Sequence, residues 1–201
     1  MMHTLLPDVV EHWADRSPEH QAITMGGAAL SYKALWTRAS RLAGALAERG
    51  VRRGERVVIF MDNVPDCAVA LFGVWLADAV AVPVNAQTKE EKLGWILRHS
   101  EAVAMISEAH LAYAYAPVTA GSELRAVIAA STQGKDSDAA ESLDAVVAGA
   151  PDRSLPRRNV PLDLALILYT SGTTGEPKGV MHTHQSLCFA RDSIAAYLEV
   201  G

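Results

Sequence analysis

The chain has 201 residues, half of them hydrophobic, with 18 Lys and Arg against 23 Asp and Glu for a formal net charge of −5. That length suits one good-sized domain or two small ones with a substantial core, and the lack of a basic block excludes nucleic acid as the main partner. The two cysteines, Cys67 and Cys188, lie in no CxxC spacing and are expected as reduced thiols of a cytoplasmic protein.

Met1 to Asp8 contains no basic segment followed by an apolar run, so no secretory signal is expected. Asp8 to Arg16 reads as a short helix with Val9, Val10 and Trp13 on one side. Ala22 to Met25 and Ala28 to Leu30 flank Gly26-Gly27, a hairpin pattern because two glycines supply the positive φ angles of a tight turn. Ser31 is placed to cap the next helix, where Leu35, Ala39, Leu42, Ala43 and Leu46 recur at helical spacing and Gly50 is the stop. Val57 to Met61 is apolar without alternation, as in a strand buried on both faces.

The alternation then repeats. Pro65 to Leu76 reads as a helix, with Asp62, Asn63 and Asp66 as capping residues before and within it. Ala79 to Val84 reads as a buried strand. The most apolar stretch, Val69 to Val84, is broken by Asp78 and Pro83 and is too short to span a bilayer. Thr88 and Glu91 form a T-x-x-E capping box opening a helix to about His99. Strands are predicted over Val103 to Ile106 and Ala126 to Ala129, with a weaker helix between them. Trp36, Trp75 and Trp95 sit in helical patterns as packing residues, and Arg52-Arg53 and Arg157-Arg158 read as solvated loop charges.

From Ser131 to Pro161 Ser, Asp, Gly and Pro become common, with a short helix over Ala139 to Val147. This stretch is either a surface excursion or a boundary between two sub-regions. Leu164 to Tyr169 is a strongly apolar strand leading into a polar loop. After it come a short apolar run, Gly179 to Met181, and a closing helix with Leu187, Ala190, Ile194 and Leu198 on one face. Strands alternating with helices at this rhythm predict an α/β fold: a mainly parallel β-sheet flanked by helices.

The loop reads Tyr169-Thr170-Ser171-Gly172-Thr173-Thr174-Gly175-Glu176-Pro177-Lys178-Gly179. Its glycines let successive amides point inward as an anion nest. Thr170, Ser171, Thr173 and Thr174 add hydroxyl donors, and Lys178 adds a mobile positive charge. Many donors, one cation and no bulk suit a polyphosphate, and the carboxyl end of a strand is where α/β sheets bind ligands. The spacing is not the G-x-x-x-x-G-K-[ST] of phosphate-binding NTPases, because Gly172 and Gly175 are too close and Gly179 stands where Ser or Thr would be needed. Nor is it G-x-G-x-x-G. His182 and His184 have no further ligands nearby in sequence, so no metal site is expected there.

The segment Tyr169 to Gly179 resembles the signature loop of the adenylate-forming superfamily: acyl-CoA synthetases, aryl-acid ligases, peptide-synthetase adenylation domains and luciferases. Leu30-Ser31-Tyr32-Lys33-Ala34-Leu35 resembles the early L-[ST]-Y-x-x-L motif of that family, and Thr183-His184 its T-H after the loop. Leu76 to Asn85 resembles a family segment ending in proline and a polar residue, with Asp78-Ala79 replacing a more usual Ala or Gly followed by Gly. Ser186 stands where asparagine is common.

The resemblance covers nearly the whole chain and implies the N-terminal part of an AMP-binding domain over residues 1–201, without the C-terminal half and small mobile domain. It implies an enzyme that activates a carboxylic acid with ATP and Mg²⁺ as an acyl-adenylate, then passes the acyl group to the thiol of coenzyme A or pantetheine. Thr170, Ser171, Gly172, Thr173, Thr174, Gly175 and Lys178 would hold the β- and γ-phosphates, and His184 would contact the acyl pocket or cap its helix. No catalytic residue is expected within this span. An acyl-CoA synthetase of fatty acid metabolism is the favoured reading. An amino-acid-activating domain, or a non-catalytic phosphate-binding or protein-interaction module, are the alternatives. As a shortened chain or a cleavage product, it is expected to be inactive alone and to self-associate through exposed apolar surface.

Overall fold

The computed structural model describes residues 4–151, 155–170 and 177–198. The chain enters through helix α1 (Leu6–Arg16), which buries Pro7 and Val10. Strands β1 (Gln21–Met25) and β2 (Ala28–Ser31) pair antiparallel around Gly26 and Gly27, whose φ angles of +56° and +83° confirm the glycine hairpin. The Ser31 hydroxyl accepts the Ala34 N–H at 3.2 Å and starts helix α2 (Tyr32–Glu48). Leu35, Ala39, Leu42, Ala43 and Leu46 form the buried stripe of α2, as their spacing predicts. The helix stops at Gly50, which takes φ +83°.

Among the described residues a seven-stranded sheet follows: β3 (Arg56–Met61), β4 (Val80–Asn85), β5 (Ala102–Glu108), β6 (Ala126–Ala130), β7 (Glu141–Ser142), β8 (Leu164–Thr170) and β9 (Lys178–Thr183). Its order is β7-β6-β5-β3-β4-β8-β9, with every pairing parallel except β8 with β9. The intervening helices are α3 (Pro65–Leu76), α4 (Glu90–His99), α5 (Ala112–Thr119), α6 (Leu143–Gly149) and α7 (His184–Leu198). Alternate residues of the central strands point to two separate cores. Val57, Ile59 and Ile106 pack with α2, α3 and α6, whereas Val58, Phe60 and Met105 pack with α4 and α5. A chain leaving β3 therefore turns to one face, and chains leaving its neighbours β4 and β5 turn to the other.

Four local expectations are corrected. The Thr88–Glu91 capping box does not form: α4 begins one residue later with Lys89 at its N-cap and no side-chain cap bond. Asn85 takes over there, its Oδ1 accepting Gln87 N–H at 2.7 Å and its carbonyl the Thr88 N–H at 2.8 Å. Asp62 and Asn63 do not cap α3, whose N-cap is Val64. The short helix α6 starts at Leu143, because Glu141 and Ser142 are drawn into the sheet against β6 and Glu141 is held by Arg49 at 2.5 Å. On α7 the inward side carries His184, Leu187 and Cys188, while Ala190, Ile194 and Leu198 are exposed.

Helices α2 and α3 pack tightly at Gly73, where an added Cβ would lie 2.7 Å from Leu42 Cδ2 and 3.1 Å from Leu42 Cβ. Leu42 is fully buried and has no room to retreat. Gly73→Ala should therefore lower the urea unfolding free energy by roughly 1–3 kcal/mol through overpacking. Gly44→Ala, in α2 with nothing within 4 Å of its added carbon, should raise it by about 0.5–1 kcal/mol.

Candidate functional site

Strands β8 and β9 bring the two ends of the polar loop face to face. Thr170 pairs with Lys178 and Tyr169 with Gly179, so residues 171–176 connect two hydrogen-bonded strands at the carboxyl end of β8. Thr170 and Lys178 are both exposed, and Lys178 forms no ion pair among the described residues. Ser171, Gly172, Thr173, Thr174 and Gly175 lie outside the described residues.

The strand that presents this loop is thinly laddered to the parallel sheet, through the single pair Ala81 with Leu166. Side chains from the end of α3 supply the rest. The Trp75 indole N–H donates to the Ala165 carbonyl at 2.7 Å in a buried setting. Asp78, at φ +58° just past the helix, accepts the Arg158 and Asn159 N–H groups at 3.1 and 3.3 Å. Aspartate tolerates this left-handed conformation better than most residues. The two N–H groups explain its presence where glycine would be easier. Burial pushes the Asp78 carboxyl up, and those N–H bonds oppose the shift. Asn159 Nδ2 in turn donates to the Trp75 carbonyl at 3.3 Å.

His184 is fully buried beneath the same segment. Its Nδ1 accepts the Leu6 N–H at 3.4 Å, its Nε2 lies 3.3 Å from Asn159 Nδ2, and its ring meets Trp75 edge-on at 6.4 Å. The expectation of a substrate contact at His184 does not match this environment, since both ring nitrogens face protein. The residue instead joins α1, the 155–163 segment and the start of α7. Burial holds its pKa below the usual imidazole value, with Asp163 and Asp8 pulling the other way.

Tyr169 fixes the last turn of the strand before the loop. Its hydroxyl sits 2.7 Å from His99 Nδ1, its ring meets Trp95 edge-on at 5.8 Å, and Trp95 stacks on His99 at 4.4 Å. Across the ladder a Cβ on Gly179 would lie 3.0 Å from Ile167 Cγ2 and 3.5 Å from the Tyr169 ring, so a side chain there would have to push Ile167 aside by a few tenths of an ångström. Sequence reasoning found the loop but missed Trp75, Asp78, Asn159 and His99 as its supports, because their partners lie far away along the chain. Of the arginines read as solvated, Arg52, Arg53 and Arg158 are indeed exposed, and only Arg157 is half-buried. Arg53 pairs with Asp163 at 2.6 Å, and Arg157 binds Asp8 and Glu11 with its guanidinium 5.6 Å over the Trp36 ring.

Large apolar side chains are exposed on β8, β9 and α7: Leu168, Val180, Met181, Phe189, Ile194 and Tyr197. No helix among the described residues is long and apolar enough to cross a membrane.

The family model described as "AMP-binding enzyme" matches residues 10–200. Tyrocidine synthase 3 of Brevibacillus parabrevis is 35% identical over 182 residues, covering 90% of this chain and 3% of that protein. A medium/long-chain-fatty-acid–CoA/3-oxocholest-4-en-26-oate–CoA ligase of Mycobacterium tuberculosis is 32% identical over 187 residues, covering 90% of this chain and 34% of the ligase. Among solved structures, a long-chain-fatty-acid–CoA ligase from Archaeoglobus fulgidus superposes with a TM-score of 0.85 at 26% identity over 100% of this chain and 41% of that one. The chain thus spans about a third of the length of the Mycobacterium ligase.

The buried imidazole makes a pH prediction. The folded chain resists protonating His184, whereas the unfolded chain takes up that proton below about pH 6.5. Stability from this group is therefore present above that pH and lost as pH falls toward the depressed folded value. Urea midpoints measured at pH 7.5 and 5.5 should drop for the wild type and drop less for His184→Gln. Equal drops would show that the ring does not set this dependence.

Proposed function

The chain belongs to the AMP-binding enzyme family, and on that premise we propose that it supplies the phosphate-holding part of an ATP-dependent carboxylic acid–thiol ligase. The observation that carries this reading is the register of Thr170 opposite Lys178, which sets an exposed ammonium, with no ion pair among the described residues, next in sequence to a hydroxyl-rich segment. In this reading Thr170, Ser171, Gly172, Thr173, Thr174, Gly175 and Lys178 hold the β- and γ-phosphates of ATP. Mg²⁺ would accompany the nucleotide and offset charge on its phosphates.

The acid's carboxylate oxygen attacks the α-phosphorus. The bond from that phosphorus to the bridging oxygen breaks, and pyrophosphate leaves with the electron pair. Lys178 and the loop donors neutralise charge gathering on this leaving group, which is how phosphoryl-type transfers are accelerated. The thiol of coenzyme A or a pantetheine arm then attacks the acyl carbon, and AMP departs. Resemblance to fatty-acid–CoA ligases supports an acyl-CoA synthetase. The 35% identity to tyrocidine synthase 3 supports an amino-acid-activating domain as the second reading.

Calorimetric titration of the chain with pyrophosphate and with ATP tests the loop. Lys178→Ala should weaken both by roughly 10- to 100-fold, the value of a charge-assisted contact of about 1.5–3 kcal/mol. Unchanged affinity would remove Lys178 from the phosphate site. ATP–pyrophosphate exchange with a panel of carboxylic acids should stay near background for this chain, and robust acid-dependent exchange would overturn its inactivity alone.

The exposed apolar side chains of β8, β9 and α7 generate a further expectation. Sedimentation velocity should show self-association that rises with concentration, and a strict monomer at high concentration would count against it.

A further inference from the structure

Helix α1 is 11 residues long and buries only Pro7 and Val10. A helix of that length is marginal by itself, so its place depends on a few ties to the rest of the chain. Trp13 stacks on Tyr32 at 6.0 Å, and Asp8 and Glu11 both bind Arg157. At the start of the helix Leu5 offers no side-chain cap. The Leu6 N–H belongs to the first turn and has no partner inside the helix. It donates instead to His184 Nδ1 at 3.4 Å, so the cap of α1 comes from 178 positions away.

That contact depends on the charge of the ring. His184 is fully buried, and two donors face its two nitrogens: the Leu6 N–H at Nδ1, and Asn159 Nδ2 at 3.3 Å from Nε2. A neutral imidazole has one lone pair to offer them, and an imidazolium has none. Protonation therefore sets a ring N–H against a backbone N–H in a buried place, where an unmatched donor is costly. His184 is also the first residue of α7, and the N-terminal end of a helix disfavours a cation.

The charged groups around the ring are already engaged elsewhere. Asp8 of α1 is held by Arg157, and Asp163 of the segment before β8 is held by Arg53 at 2.6 Å. Both carboxylates draw the imidazole toward its charged form, but burial outweighs them. Asp78, past the end of α3, spends its carboxylate on the Arg158 and Asn159 N–H groups. One turn along α7, burial pushes the Cys188 thiol up and keeps it neutral, and Arg191 is paired with Asp192 at 2.6 Å. Two other histidines lie near in sequence to these elements, His12 on α1 and His182 on β9.

We propose that His184 is an acid-operated latch on α1: its neutral ring holds the helix to the start of α7, and protonation releases α1 while the central strands stay paired. Strands β3, β4 and β5 carry no histidine, the one side chain that ordinarily titrates between pH 5 and 8. Release of α1 also frees Arg157 from Asp8 and Glu11. The 155–163 segment that leads into β8 then loosens with it.

The test is amide hydrogen exchange of the chain, read by mass spectrometry at pH 7.5 and 5.5 and corrected for the intrinsic effect of pH on exchange. A released His184 titrates near pH 6.5 while the latched ring resists the proton, so the opening of α1 should rise about tenfold between the two pH values. A rise should also appear over 155–163, and none in β3, β4 and β5. His184→Gln can accept the Leu6 N–H but does not titrate, so it should lose the change, whereas His12→Gln and His182→Gln should keep it. If His184→Gln fails to fold, NMR titration of the wild-type imidazole makes the check: α1 exchange should accelerate as the ring takes up its proton. Four results would each overturn the proposal: equal α1 exchange at both pH values, an acid rise that persists in His184→Gln, a uniform rise across the whole chain, or a ring that titrates with α1 unchanged.

Discussion

A strand that presents a loop must be held more firmly than the loop itself, and β8 is joined to the parallel sheet by one ladder pair, Ala81 with Leu166. The missing backbone contacts are replaced by the C-terminal end of α3. Trp75 reaches across to the Ala165 carbonyl, and Asp78 gathers two consecutive N–H groups of the segment that feeds the strand. Buried hydrogen bonds like these are expensive to leave unmade. The strand is therefore located by a few directional contacts, with Tyr169 adding a third point through His99 at its far end. The position of Thr170 and Lys178 follows from this scaffold.

Much of the fold was legible because its determinants are local. Pro65 opens α3 and the apolar run closes at Leu76, so both bounds could be read. Val57 to Met61 announces a strand covered on both faces, which the two cores confirm. Gly26-Gly27 and Gly50 identify themselves through the backbone angles that they alone accept easily. Errors arose where two local signals competed. Thr88 had the spacing of a cap, but Asn85 organised the turn ahead of it. On α7 the apolar spacing chose one face, while the buried His184 and Cys188 fixed another. Tertiary contact outweighs a stripe of apolar residues when a polar side chain has a better-matched pocket.

The site divides in the same way. The hydroxyls, glycines and lysine of the loop are contiguous and could be named from sequence, along with the family they signal. Their supports could not, since Trp75 and the carbonyl it binds are 90 positions apart. Asp62 shows the problem most sharply. Beside Asn63 and Asp66 it reads as a helix cap, and its acquaintance with Glu108 and His110 exists only once β3 and β5 are neighbours. Arg157 reads as loop charge until α1 and Trp36 are folded beneath it.

The two edges of the sheet are unequal. β7 contributes two residues and covers little, whereas β9 is six residues long, with β8 on one side and no strand on the other among the described residues. Such a sheet has a direction of growth. An added strand, whether from the same polypeptide or another molecule, finds a useful row of backbone donors and acceptors only beside β9. Because β9 runs against the parallel set, it also reverses the polarity offered to whatever joins it. Growth at that front would change the standing of the β8–β9 hairpin, turning a loop on the rim into one at the seam between two bodies.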